Sequence, residues 1–169
     1  DYKGFDEITS FTRSQYRFIV GWNRSTRPSQ RCRVMATGNP PMTAMGLWVI
    51  IEWAAWLDET YPDPAEPGEL RWPVRQNDDD DDDSREIFFR TQEEALVHLA
   101  TLSTAPRDHH NNLIPPRSRT FIAAALEDNP DLMRTGYAAV IEAMPKELRE
   151  ALKGSFTGSL QDQTAQLIP

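Results

Sequence analysis

Apolar positions in this chain come in short bursts, broken by proline, glycine and charge. At the amino end only Tyr2 and Phe5 are apolar, and 1–8 reads as the end of a strand with its exit turn. In "FTRSQY", Thr12 and Gln15 have the spacing of a capping box, with Phe11 and Tyr16 placed as a hydrophobic staple. The spacing of Tyr16, Ile19 and Val20 then predicts a helix over 13–23 that buries one side. "RCRVMAT", 31–37, predicts a short buried strand ending at Gly38, and "NPP", 39–41, stops it.

Further along, "GLWVIIEWAAWL" predicts a helix over 47–57 with Val49, Trp53, Trp56 and Leu57 on one side. It is the longest apolar stretch, Glu52 interrupts it, and it falls short of the roughly 20 residues of a membrane-spanning helix. A proline-broken loop leads to two predicted strands, 69–75 and 85–90, with Pro73 marking the first as an edge. Between them the acidic loop 76–84, with Asp78 to Asp83 in an unbroken run, predicts a solvated tip joining a hairpin. Thr91 and Glu94 repeat the capping-box pattern before a helix to about Leu102. After a long polar loop, 120–126 is expected as a short strand. Asn129 and Pro130 open a helix that runs through Ala143 with a break near Gly136. Pro145 opens another, ending at Gly154, and 157–169 is a tail without a core pattern.

Composition adds bounds. The 169 residues suit one domain or a large part of one, and 39% hydrophobic content is enough for a core. Of the net charge of −8, six negatives are the aspartate run, so the remainder is close to neutral and the total does not decide for or against a nucleic-acid partner. Cys32 is the only cysteine, which excludes an intrachain disulfide and fits a reducing compartment. With no apolar signal segment at the start, the expectation is a soluble, intracellular protein. The chain opens on Asp rather than Met, which suggests a removed start or a piece of a longer protein.

The candidate chemistry sits at two predicted strand ends. Asp6 and Glu7 follow the first; Thr37, Gly38 and Asn39 follow the second. Acids at a strand end suit Mg²⁺ and water activation in nucleoside triphosphatases, while a solvated turn is the alternative. Thr37 and Asn39 have side chains that hydrogen-bond phosphate or water, and Gly38 permits close backbone approach; a tight Gly-Asn-Pro turn is the alternative. A helix between the two strands fits a right-handed crossover of a parallel sheet. His98, Asp108, His109 and His110 lack metal-site spacing and read as a polar loop. The aspartate run lacks the glycine and spaced ligands of a calcium loop. Arg13, Arg17, Arg24, Arg27, Arg31 and Arg33, with Arg117 and Arg119, face either solvent or a DNA backbone. Trp53 and Trp56 read as core or subunit contact rather than base stacking.

Three segments together resemble one family, the large terminase subunit of tailed bacteriophages, which packages DNA into the capsid. "GFDEITSFTRSQYRFI" resembles its Walker B segment and following helix, and "RVMATGNPP" its coupling motif. "SRTFIAAALEDNPDLMRTGYAAVIEAMPKELREALKGSF", 118–156, resembles the segment that closes its ATPase region, and the order of the three is the family's. The resemblance spans about 2–156. It implies an α/β fold, an incomplete three-layer parallel-sheet P-loop ATPase domain with a mixed hairpin and helical, lid-like second half. On this reading 1–45 is the later part of the ATPase core, 46–156 the remainder with the lid-like subdomain, and 157–169 the tail. It implies Asp6 as the Mg²⁺-side acid, Glu7 as the catalytic glutamate, and Thr37, Gly38 and Asn39 as the coupling and nucleotide-sensing group.

It further implies ATP and Mg²⁺ as cofactors of the intact protein. The implied partners are double-stranded DNA, the viral portal, the small terminase subunit and other copies in a homo-oligomeric ring, with no membrane, in the host bacterial cytoplasm. No G-x-x-x-x-G-K-[ST] loop occurs in the sequence, so the phosphate loop is expected upstream and the chain alone is expected to be inactive. Gly154-Ser155-Phe156 stands where the family has Gly-Asp and an aromatic, and alanines replace a usual proline in "FIAAAL". The rival expectation is a non-catalytic prophage remnant or a protein-interaction module.

Overall fold

The computed structural model describes residues 2–27, 29–76, 86–146 and 148–149, and shows a mixed α/β protein. One small sheet is parallel and the other antiparallel. The described residues fall into two compact units, one from 1–49 and 124–169, the other from 50–123. The predicted acidic tip, the end of the last helix and the tail lie outside the described residues.

In the first unit, β1 (Tyr2–Phe5) pairs in parallel with β2 (Arg33–Ala36), with Phe5 opposite Ala36. Between them runs α1 (Arg13–Gly21). It starts where the sequence predicts: the Thr12 hydroxyl accepts from the Gln15 backbone N–H, and the Gln15 side chain accepts from the Thr12 N–H. Tyr16 is buried, but Ile19 and Val20 are only half-buried. Aromatic rings fill the space beneath the strand end. Phe5 meets Phe11 edge-on at 5.5 Å and Tyr16 at 5.2 Å, and Tyr16 lies 4.9 Å from Trp48. The Trp48 indole N–H donates to the Phe11 carbonyl at 2.8 Å, so its polar edge is satisfied where its ring is buried. β2 is not the buried strand that its apolar residues predict: its positions alternate exposed and half-buried, with Met35 57% exposed. A two-stranded sheet cannot cover both faces of such a strand.

The predicted helix 47–57 is two short ones, α2 (Trp48–Glu52) and α3 (Ala54–Leu57). Trp53, between them, has φ −118° and ψ 32°, outside the helical region. The indole N–H groups explain the break: Trp53 donates to the Thr120 carbonyl at 3.0 Å and Trp56 to the Glu66 carbonyl at 3.1 Å. Trp48, Val49, Ile50, Glu52, Ala55 and Leu57 are buried, whereas Trp53 and Trp56 sit half-buried.

In the second unit, β3 (Trp72–Arg75) and β4 (Glu86–Phe89) form the predicted antiparallel pair. Behind it packs α4 (Gln92–Leu99), opened by the Thr91–Glu94 capping box. Val74, Ala95 and Leu99 form the core, with Trp72, Phe89 and Leu102 against it. The segment 120–126 is not a strand. Its neighbour Arg119 makes a single antiparallel bridge to Arg71, and Phe121 only lends its carbonyl to the Gly68 N–H.

Charge is buried in this unit and paired there. Arg71 is fully buried, with Asp63 at 2.6 Å and Glu69 at 2.9 Å. Arg90 also pairs with Asp63. Arg119 joins buried Glu52 to Glu86, with its guanidinium over the rings of Trp53 and Phe88. The Tyr61 hydroxyl accepts from the Phe88 N–H at 2.9 Å.

In the first unit again, Asn129 caps α5 (Pro130–Arg134) through its side-chain oxygen. Gly136, at φ 73°, separates α5 from α6 (Tyr137–Glu142), as the sequence predicts. Arg149 N–H donates to the Pro145 carbonyl, a helical bond at the place where another helix is expected.

Asp63 sets an acid limit. The hydrogen bonds from Arg90 and then Arg71 hold its carboxyl down from 3.8 to about 2. A depressed carboxyl stabilises the fold fully above its unfolded value, and the benefit is lost as pH falls. Between roughly pH 4 and pH 2 the second unit should therefore lose stability. Asp63→Asn should flatten that limb in thermal melts and lower the neutral-pH melting temperature by about 4–8 °C, the effect of ~1 kcal/mol in a unit of this size.

Candidate nucleotide site at the strand ends

β1 and β2 end side by side, and the ladder continues past them. Thr37 N–H donates to the Phe5 carbonyl and Ile8 N–H to the Thr37 carbonyl, both at 2.9 Å. Asp6 and Glu7 are thereby placed against Thr37, Gly38 and Asn39. The Thr37 hydroxyl donates to Asp6 Oδ1 at 2.9 Å. Asn39 Nδ2 donates to Glu7 Oε1 at 3.2 Å, and the Asn39 backbone N–H lies 3.4 Å from Oε2. Both carboxylates are exposed, so this is an open polar cluster rather than an enclosed cavity.

All five residues singled out in the sequence are brought together. Asp6 and Glu7 nevertheless do different things, because the backbone turns between them. Glu7 sits at φ 51°, ψ 58°, in the left-handed region, just before the 3₁₀ turn Ile8–Ser10. A residue with a Cβ pays about 1–2 kcal/mol there. That turn aims the Glu7 side chain across to Asn39, while Asp6 keeps to Thr37.

Gly38 is small for a structural reason. A Cβ there would lie 3.0 Å from Ile8 N and 3.3 Å from Ile8 Cγ2. Gly46 is tighter still, 2.8 Å from the Thr9 carbonyl and 2.9 Å from Pro41 Cβ.

Sequence reasoning missed the residues that hold the two loops together. The Thr9 hydroxyl donates to the Asn39 carbonyl at 3.3 Å, Ile8 underlies Gly38, and Gly46 lets its own turn approach Thr9. Their signal was present in part: Thr9 follows the acids in "DEIT", where a hydroxyl reaches a neighbouring loop. Gly46 is invisible without the partner backbone.

Elsewhere, the rings of His109 and His110 lie tilted at 45° with centroids 3.8 Å apart in an exposed turn organised by Asp108, which accepts from the N–H groups of His110 and Asn112. Those hydrogen bonds, led by that from Asn112, lower the Asp108 carboxyl below its usual 3.8. Among the described residues no group of three or more His, Cys, Asp or Glu could hold a metal ion, and no helix is long and apolar enough to cross a membrane. No family model matches the sequence, and no curated protein or solved structure matches it.

Two substitutions test this geometry. Glu7→Gly should melt above Glu7→Ala by the equivalent of about 1 kcal/mol, reversing the usual order, because only glycine enters the left-handed region without strain. Gly46→Ala should destabilise more than Gly38→Ala, by about 1–3 kcal/mol, because its added methyl meets backbone at a closer distance. Equal melting temperatures in either pair would contradict the geometry.

Proposed function

We propose that this chain is the Walker B and coupling portion of an ATP-driven DNA-packaging motor of the terminase large-subunit type, built on a P-loop ATPase core. One observation carries the reading: an acid pair and a Thr-Gly-Asn loop, at the ends of adjacent parallel strands, are hydrogen-bonded to each other. Ligands of open parallel sheets gather at the carboxyl ends of the strands, and these five residues stand there. The resemblance of three segments, in the family's order, gives the reading its particular form.

The residues fit the roles. Asp6 is a single exposed carboxylate with one oxygen steadied by Thr37, which suits a hard cation held through water rather than by a full protein cage. Glu7 is the candidate base that orients the attacking water. Asn39 holds its carboxylate with two N–H donors and so sets where that base points. Bound Mg²⁺ and ATP supply the phosphoryl group and neutralise its charge. The phosphate loop itself comes from outside these 169 residues. In the assembled motor the partners are double-stranded DNA, the portal, the small terminase subunit and further copies in a ring, in the host cytoplasm.

In a protein that contains this chain together with its phosphate loop, Glu7→Gln should lower kcat for Mg-ATP hydrolysis by about 10²–10⁴-fold with KM little changed. Asn39→Ala should lower kcat less. The isolated chain should give no turnover. Hydrolysis that survives Glu7→Gln in full would remove this reading.

A further inference from the structure

From Ile8 to Ile51 the chain has six arginines and no acidic residue, in a protein whose net charge is −8. Charge is segregated into one stretch of the first unit, and the structure shows where it surfaces. Four of these side chains, Arg24, Arg27, Arg31 and Arg33, are exposed, and among the described residues Arg24, Arg27 and Arg33 are paired with no carboxylate. They lie on the segment from the end of α1 to the start of β2.

Hydrogen bonds organise the described residues of that segment. The buried Asn23 side chain donates to the Arg33 carbonyl at 2.9 Å and ties the end of α1 to the start of β2. The Ser25 hydroxyl donates to Gln30 Oε1 at 2.8 Å and accepts from the Arg27 N–H at 3.0 Å. Arg24, Ser25, Thr26 and Gln30 line an open depression of about 420 Å³.

Beside it stands an aromatic surface. Trp22 is 53% exposed and Phe18 68% exposed, with ring centroids 6.1 Å apart. The Arg24 guanidinium lies 5.0 Å from the Trp22 ring centroid. Two large rings are thus exposed side by side on this surface.

We propose that this surface binds single-stranded nucleic acid, with unpaired bases stacked on Trp22 and Phe18 and the phosphates held by Arg24, Arg27 and Arg33. Arginine charge alone suits any polyanion, but exposed aromatic rings beside it discriminate. Bases in a duplex are already stacked on each other, whereas unpaired bases gain from an aromatic partner. The surface is at the amino ends of β1 and β2, and the acid pair is at their carboxyl ends, about 10–13 Å away along four-residue strands. The Asp6 and Glu7 carboxylates therefore do not crowd the bound phosphates, and the inference does not depend on the ATPase reading.

Fluorescence anisotropy of the full chain with a labelled oligothymidylate of about 20 nucleotides tests it, against a duplex of the same length. The single strand should bind more tightly than the duplex, with log affinity falling by about 0.7 per phosphate contact for each decade of salt. Trp22→Ala should weaken single-strand binding about 5- to 150-fold, and Trp22→Phe should retain most of it. Replacing Arg24, Arg27 and Arg33 together by Gln should weaken binding and flatten the salt dependence. All these side chains are exposed, so the melting temperature should stay unchanged and report any folding failure. Duplex binding as tight as single-strand binding, no binding at low salt, or full affinity in folded Trp22→Ala would overturn the proposal.

Discussion

The first unit depends on the register of two short parallel strands. Once Phe5 faces Ala36, the next ladder bonds run from Thr37 to Phe5 and from Ile8 to Thr37. A slip of one residue would turn every side chain to the other face. Asp6 would lose Thr37, and Phe5 would leave the aromatic cluster with Phe11, Tyr16 and Trp48. The site and the small core are thus set by the same pairing: burial of Phe5 on one side of the strand end determines where the polar groups after it emerge.

Within that frame Glu7 carries the local strain. Its left-handed backbone conformation is disfavoured, and it persists because surrounding contacts over-determine it. Ile8 is pinned through its N–H and packed under Gly38, and Asn39 receives the carboxylate. Strain of this kind concentrates where a side chain must be aimed against the preference of its backbone. The adjacent acids can therefore hold separate partners although they are neighbours in sequence.

The second unit solves a different problem. Its apolar cluster of Val74, Ala95 and Leu99 is small, and the unit also buries charge. Arg71 is wholly buried, and a lone guanidinium there would be severely destabilising. Asp63, Glu69 and the Pro64 carbonyl compensate it from the loop before β3. Arg119 performs a parallel role between Glu52 and Glu86 while covering two aromatic rings. Such networks add geometric specificity, since each arginine accepts only one arrangement of its partners.

Much of the local structure was legible in the residues. Both capping boxes, the Asn129–Pro130 helix start, the Gly136 break and the β3–β4 pairing follow from short-range chemistry, in which a side chain satisfies backbone groups three or four positions away. The grouping of Asp6 and Glu7 with Thr37 to Asn39 was also readable, because a crossover helix between two strands leaves few other pairings. What the tertiary structure alone decided involves distant partners. The helix 47–57 breaks because Trp53 and Trp56 reach carbonyls in other segments. The segment 120–126 stays outside any sheet because only one bridge beside it forms, and β2 stays half-exposed because it has one neighbour. Local hydrogen-bonding preference is written in sequence windows of a few residues. Burial, buried-charge pairing and the aim of Glu7 exist only once remote backbone has arrived.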